Sequence, residues 1–541
     1  MPDYASPAAS GDKPHAFPAQ ASPCDDLAIR AHPLAHLPCR RKRLALAATI
    51  LGSSMAFIDS SVVNVALPAI QTELGASVAE MQWVGSAYLL LLASLVLIGG
   101  AMGDRLGRRT VFIAGIVLFT VASAACGLAP GPRALIAARA VQGAGAALLV
   151  PSSLAIIGSV FDDPARGHAI GAWAGIGAST SACGPVVGGW LGDAVSWRAI
   201  FYLNVPIAAI TVALALSSVP DSRDSVTLQR LDWTGALAAA LGLGLLTYGL
   251  TLASSDGFAD TVVIGSIVGG LILCGVFFVI EARSHDPMMP LDVFHSRDFS
   301  GANLVTLLVY FGMSGAMFFL PYTLIRAHGY SATEAGAALL PVPVVIGVLS
   351  RFTGGLSSRW GPRMLLTVGP AIAAAGFMLI VLPGWLDFDQ TRYWTSFFPG
   401  LAVLGLGMTI TVAPLSTTVM MSVTAARTGV ASGINNAVAR IASLLAIAVL
   451  GIVFVWSHDA ALSTRLEQLH IPADLHRAGQ LLAPDIMAGT HAVPSEIVAA
   501  QADALDAGLR AVALVSAACA LLGAACAAAM IGSRQRPAPN P

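Results

Sequence analysis

Charge is what this sequence has least of. Asp, Glu, Lys and Arg make up 11% of its 541 residues, against about 25% in an ordinary soluble domain. With 56% hydrophobic residues and a mean hydropathy of +0.75, most of the chain is expected to lie in lipid rather than water. Lysine is nearly absent, since Lys13 and Lys42 are the only two among 29 basic residues. The net charge of −1 supplies no basic surface, so no nucleic-acid partner is expected. Seven cysteines, at 24, 39, 126, 183, 274, 519 and 526, show no paired spacing. Most fall in apolar runs, which argues for small buried residues rather than disulfides or metal ligands. No histidine lies deep in an apolar run, and the His32/His36 pair sits in a polar tail. A metal centre, a bound cofactor and a histidine relay are therefore not expected, and neither is the clustered His, Asp or Cys of a membrane-bound enzyme. Neither tail is large enough for the signalling domain of a sensor.

What is present is a series of long apolar runs. Residues 1–43 are polar, carry seven prolines and read as a disordered tail. Fourteen runs of about 20 residues follow, the length that crosses a bilayer core. Six lie in 44–219, the fifth of them at 170–190. Two, 233–281, lie in a linking segment 220–299. Six more lie in 300–532, before a short tail at 533–541. Residues 457–510 read as a long outer loop in which Leu462, Leu466 and Leu469 have the spacing of a short surface helix. The fold class is all-α and polytopic. Loops and tails on the amino-terminal side hold 19 Lys/Arg, those on the other side hold seven, and Arg139, Arg351 and Arg440 fall within spans. That asymmetry places both termini in the cytoplasm.

One turn recurs. Gly103-Asp104-Arg105-Leu106-Gly107-Arg108-Arg109 returns in altered form as Ser357-Ser358-Arg359-Trp360-Gly361-Pro362-Arg363, a repeat that aligns Gly100 with Gly354 and Arg109 with Arg363. A short charged turn repeated in two halves of an apolar chain indicates duplication. Two halves of six helices would put the second copy after the eighth span, yet it follows the tenth. Two helices, 233–281, are therefore inserted between the halves.

Four motifs in order make the resemblance specific. Ile58-Asp59-Ser60-Ser61-Val62-Val63-Asn64 begins the first. The turn from Gly100 to Arg109 is the second. Leu135, Arg139, Gln142, Gly143, Gly145 and Ala146 form the third. Gly184-Pro185-Val186-Val187-Gly188-Gly189 is the fourth. Together they resemble the fourteen-span drug:proton antiporters of the major facilitator superfamily. The resemblance implies two six-helix bundles that rock about a central cavity as a monomer in a bacterial inner membrane. It implies a hydrophobic small-molecule substrate and protons as partners, with the lipid bilayer around them and a periplasmic adaptor as a further partner. The driving force would be the proton gradient.

Physical reasoning assigns roles beside that resemblance. Asp59 is the only acidic residue well inside an apolar run. A central Asp costs roughly 2.5–3.5 kcal/mol on insertion scales, so it should face a partner or a cavity. Helix rise puts it about 24 Å from Arg43, at a depth similar to that of Arg139. The two are expected to be coupled. Burial disfavours the charge of such a carboxyl and a guanidinium favours it, so Asp59 is a candidate proton site whose proton a substrate cation would expel. The bland alternative is a structural ion pair. Gly184 and Pro185 are expected to bend the fifth span, and Gly188 and Gly189 to allow close helix contact. The resemblance implies a seal against leak there. Asp104, with Gly100, Arg105, Gly107, Arg108 and Arg109, is a candidate cytoplasmic latch between halves; topology control by charge alone is the alternative. Ser358 replaces the acid in the second copy, so that latch is expected to be weak. Tyr88, Gln142, Trp173, Tyr310 and Asn435 are candidates for lining the cavity. The expected function is proton-driven export of hydrophobic, drug-like compounds, with export of one endogenous metabolite as the alternative.

Overall fold

The computed structural model describes residues 38–161, 163–220, 232–284, 287, 289–385, 393–423, 428–469 and 495–532. The expected tails lie outside these, except that a helix already begins at Cys39 rather than at 44. Among the described residues every regular element is helical.

The first bundle contains α1 (Cys39–Leu74), α2 (Val78–Leu106), α3 (Arg108–Gly127), α4 (Pro132–Val160), α5 (Asp163–Ala194), α6 (Ala199–Tyr202) and α7 (Asn204–Ser218). The linking pair is α8 (Trp233–Asp256) and α9 (Thr261–Arg283). The second bundle contains α10 (Arg297–His328), α11 (Ala332–Ala338), α12 (Pro341–Trp360), α13 (Pro362–Trp385), α14 (Tyr393–Ser396), α15 (Phe398–Met421), α16 (Thr428–Gln468) and α17 (Ser495–Met530). Local chemistry explains many boundaries. Ser77 with Glu80 and Ser331 with Glu334 form capping boxes at the starts of α2 and α11. Asp232 and Asp260 cap α8 and α9.

Among the described residues thirteen helical stretches are long and apolar enough to cross a membrane, two of them running through α6–α7 and α11–α12. The fifth expected crossing falls on α5, a 32-residue helix that is not among the thirteen. At 1.5 Å per residue its length is about 48 Å, ample for a core about 30 Å thick. The tenth expected span is broken. α11 ends at Ala338, and the helix restarts at Pro341 as α12.

The inserted pair packs its first member, α8, against α2 and α16, across the joint between the bundles. Leu90, Leu243 and Leu444 meet there. The outer face of α9 leaves Val262, Leu271, Ile272 and Phe278 exposed. Apolar side chains on so broad a face are stable only against lipid.

Two expectations are corrected. The stretch 457–510 is not simply a loop with a separate helix. α16 continues unbroken to Gln468 and α17 begins at Ser495; residues 470–494 lie outside the described set. Leu462 and Leu466, read as one face of a surface helix, pack instead on Ala500 and Ala504 of α17. Arg465 and Asp503 add an ion pair at 3.0 Å. The expectation of small buried cysteines rather than disulfides also fails at Cys39, which is disulfide-bonded. Cys39 lies outside the apolar runs, so burial never protected it.

The duplicated turn is visible in the backbone. α2 stops at Leu106 and α12 at Trp360, each one residue before a glycine with positive φ, Gly107 at 109° and Gly361 at 75°. Only glycine adopts that region without strain, so each copy reverses the chain at the same place.

Candidate functional site

The site is built from three helices of the first bundle. α4 presents Arg139 and Gln142 three residues apart, hence on one face. α1 presents Asp59, and α2 presents Tyr88 and the Val84 carbonyl. Arg139 Nη1 pairs with Asp59 Oδ2 and donates to Gln142 Oε1 at 2.8 Å. Gln142 Nε2 donates to Asp59 Oδ1 at 2.8 Å, which closes a ring of three side chains. Arg139 Nε donates to the Val84 carbonyl at 3.1 Å. The guanidinium lies 4.4 Å from the centre of the Tyr88 ring, and the Tyr88 hydroxyl donates to the Ala56 carbonyl at 3.4 Å.

Asp59 and Arg139 are each 1% exposed and Gln142 is fully buried. Dehydrating two ions costs several kcal/mol each, offset only where geometry is good and the remaining polar atoms are satisfied. The ring meets that condition, because both carboxylate oxygens, the guanidinium Nε and Nη1, and its face toward Tyr88 have partners. Tyr88 and Gln142, expected to line a cavity, are buried members of this cluster. Arg139→Gln should leave an uncompensated buried carboxylate, which costs about 3–5 kcal/mol. A clear fall in the thermal midpoint of the purified protein is the expected result, with partial recovery in Asp59→Asn/Arg139→Gln. An unchanged midpoint for Arg139→Gln would mean the pair contributes nothing to the fold.

A separate cavity of about 240 Å³ opens in the second bundle, lined by Tyr310 of α10, Ser416 and Met420 of α15, and Asn435, Asn436 and Arg440 of α16. Two of the expected lining residues, Tyr310 and Asn435, are there. Trp173 is not. Its Nε1 donates to Ser53 Oγ at 2.9 Å and its ring meets Phe57 edge-on at 5.7 Å, which ties α5 to α1.

The two bundles are closed at the end opposite the duplicated turns. α5 and α11 interlock there. A Cβ on Gly189 would overlap the Ala332 carbonyl, and one on Gly336 would overlap the Pro185 carbonyl. Gly184 and Gly188 face α1 instead, against Ser61 and Val62. Asp193 accepts from the backbone N–H of Ala332 at 3.3 Å and of Thr333 at 2.8 Å, and from the Thr333 hydroxyl at 2.6 Å. Arg326 donates to the Pro68 carbonyl at 3.0 Å and Thr72 Oγ1 at 2.7 Å, near the end of α1. The Tyr322 hydroxyl donates to Gln71 at 3.1 Å. None of Asp193, Arg326 or Gln71 was anticipated. The Ser331–Glu334 capping box sets the start of α11, and the acid that docks on it lies in the other bundle.

At the opposite end, Arg109 donates to the Val219 carbonyl at 3.3 Å and Arg41 to the Ser217 carbonyl at 3.3 Å. Both neutralise the carbonyl end of α7, a contact within one bundle. Arg105 is exposed and Gly100 faces Pro151. The Asp104 side chain and those of residues 351–359 lie outside the described set. Among the described residues no three metal-ligating side chains gather.

Comparison with known proteins agrees with this architecture. The Major Facilitator Superfamily profile matches residues 49–447. The Multidrug resistance protein Stp of Mycobacterium tuberculosis (strain CDC 1551 / Oshkosh) is 33% identical over 430 residues, 79% of each chain. The Tetracenomycin C resistance and export protein of Streptomyces glaucescens is 32% identical over 407 residues, 75% of each chain. The puromycin resistance protein pur8 of Streptomyces alboniger is 34% identical over 431 residues, 79% of this chain and 85% of that one. In structure, a bacterial homologue of the human lysosomal transporter Spinster superposes with a TM-score of 0.61 at 18% identity, over 90% of this chain and 98% of the other. A profile spanning most of the chain, relatives above 30% identity and the two-bundle fold lead to one conclusion: this protein is a member of the Major Facilitator Superfamily.

Proposed function

We propose that the protein exports hydrophobic, drug-like compounds from the cytoplasm in exchange for protons, by alternating access in a bacterial inner membrane. The observation that carries this reading is the closed Asp59–Arg139–Gln142 ring. A titratable carboxyl held by one arginine, deep in the membrane, is the element a proton-coupled carrier needs. The named resistance and export proteins among its relatives support the substrate class.

Both Asp59 oxygens are occupied in this conformation. A substrate cation therefore does not displace the proton by direct contact here, as simple competition at Asp59 would require. Coupling instead runs through opening of the ring. Protonation removes the charge that holds Arg139, which loosens α1 from α4 and changes how the bundles meet. Closure at the α5–α11 end, with a cavity between α10, α15 and α16, fits a state open toward the duplicated turns. The distribution of basic residues supports a cytoplasmic position for that side, together with both termini. One chain contains every part of this cycle, so it works as a monomer.

The deciding experiment is dye uptake into everted vesicles, which should require a proton gradient and collapse with an uncoupler. Gradient-independent transport would remove the antiport reading. In the same vesicles Asp104→Asn should lower flux while equilibrium binding of the dye is retained, as a latch between states requires. Normal flux would leave the turn with topology control alone.

A further inference from the structure

We infer that the substrate carries an ionised acidic group, and that Arg440 is the residue that recognises it. This rests on the export reading and names its substrate class.

The cavity in the second bundle is rich in unspent donors. The Arg440 guanidinium lines it and has no ion-pair or hydrogen-bond partner among the described residues; its electrostatic neighbours are the phenols of Tyr88 and Tyr310. Asn435 accepts the Thr306 hydroxyl at 2.7 Å through Oδ1, which turns its amide N–H groups to other partners. Tyr310 lines the same space, and its hydroxyl has no hydrogen-bond partner among the described residues. Among the described residues, no carboxylate lines the cavity. Among the described residues the carboxylate deep in the membrane core is that of Asp59, which is already neutralised by Arg139. Among the described residues, Arg440 is thus the surplus charge of the two-bundle interior.

An arginine inside a membrane protein is costly unless paired or placed in a cavity. Its planar fork of five donors matches a carboxylate or a similar oxyanion in bidentate fashion. The volume of about 240 Å³ is below the roughly 300–1,000 Å³ of a pocket for a whole drug-sized ligand. In this conformation it accommodates a polar head, with apolar substrate atoms against Val419 and Met420. A cationic head would meet Arg440 as a like charge. The composite is a site for an anionic amphiphile.

The test compares an anionic, carboxylate-bearing fluorescent dye with a cationic dye of similar size. Each is measured by equilibrium binding to purified protein and by uptake into everted vesicles. The readout is the ratio of anionic-dye to cationic-dye affinity. In Arg440→Gln this ratio should fall tenfold to a hundredfold, the range expected for losing hydrogen bonds to a charged group, and Arg440→Lys should restore part of it. An equal loss for both dyes, or no change in the ratio, assigns Arg440 a structural role and overturns the proposal. Wild-type protein that binds and transports only the cationic dye overturns the substrate class while leaving export intact. Binding and transport of neither dye would overturn both readings.

Discussion

Asp59→Asn is expected to abolish gradient-driven export while the protein remains folded. Asn keeps the size of the side chain and can still accept from Arg139 or Gln142, so the helices stay in contact. It has no proton to exchange, and it leaves the Arg139 charge without a counter-ion. Separating a buried pair is worth about 3–5 kcal/mol, and about 2.7 kcal/mol already corresponds to a hundredfold change in rate. Proton-driven uptake in everted vesicles should therefore drop about a hundredfold or more. Exchange of substrate down its own gradient should decline less, because the bundles still close at the α5–α11 end. Equal expression and a monodisperse elution profile are the controls. Unchanged, uncoupler-sensitive uptake in a well-expressed Asp59→Asn protein would end the proton-site proposal, and the ring would then be a structural ion pair.

The second large effect is expected at the interlock between bundles. In Gly189→Val, the new Cβ falls on the Ala332 carbonyl and within 2.6 Å of Thr333 Cα. Both are backbone atoms and cannot swing aside. Overpacking of this kind costs about 1–3 kcal/mol, and here the cost applies only to the state in which α5 and α11 touch. The population should therefore move roughly tenfold to a hundredfold toward separation of these helices, since each 1.4 kcal/mol is a factor of ten. Ala335 is fully buried on α11. In an Ala335→Cys reporter, labelling by a membrane-impermeant maleimide from the outside should rise by at least tenfold when Gly189→Val is added, and net transport should fall. Asp193→Asn should produce the same change more weakly, since it keeps the hydroxyl and one backbone contact. Equal labelling with Gly or Val at 189 would mean that this contact is not what closes the outer end.

The site was partly legible before any coordinates. A lone acid and a lone arginine in apolar runs are conspicuous because each is expensive there, and helix rise alone put them at similar depth. The ring that joins them was not legible. Gln142 was read as lining a cavity, yet α4 turns it toward Asp59, beside Arg139 on the same face. The Tyr88 contact was hidden for the same reason, because an aromatic in a span gives no sign of whether a guanidinium lies over it. Asp193 gave no local signal, since an acid near a helix end is ordinary and its partners are 139 and 140 residues away. Leu462 and Leu466 were legible as a helical face. That their helix continues α16, and that α17 rises beside it, depended on a second segment more than 30 residues on. Arg440 was visible as a charge in a span, but its lack of a partner is a statement about every neighbour at once.

The sequence by itself determined that this chain lives in a bilayer, where most of its helices lie, where two of them were inserted and where the duplicated turn reverses the chain. Those features depend on local quantities: the length of an apolar run, a capping side chain, a glycine that tolerates positive φ. Tertiary structure alone decided which buried charges neutralise one another and which is left over. Arg139 meets Asp59 across 80 residues of sequence, and Arg440 meets no acid among the described residues, because pairing depends on how helices cross and rotate. In a low-dielectric interior, that geometry separates a charge that holds the protein together from one that is free to bind a substrate.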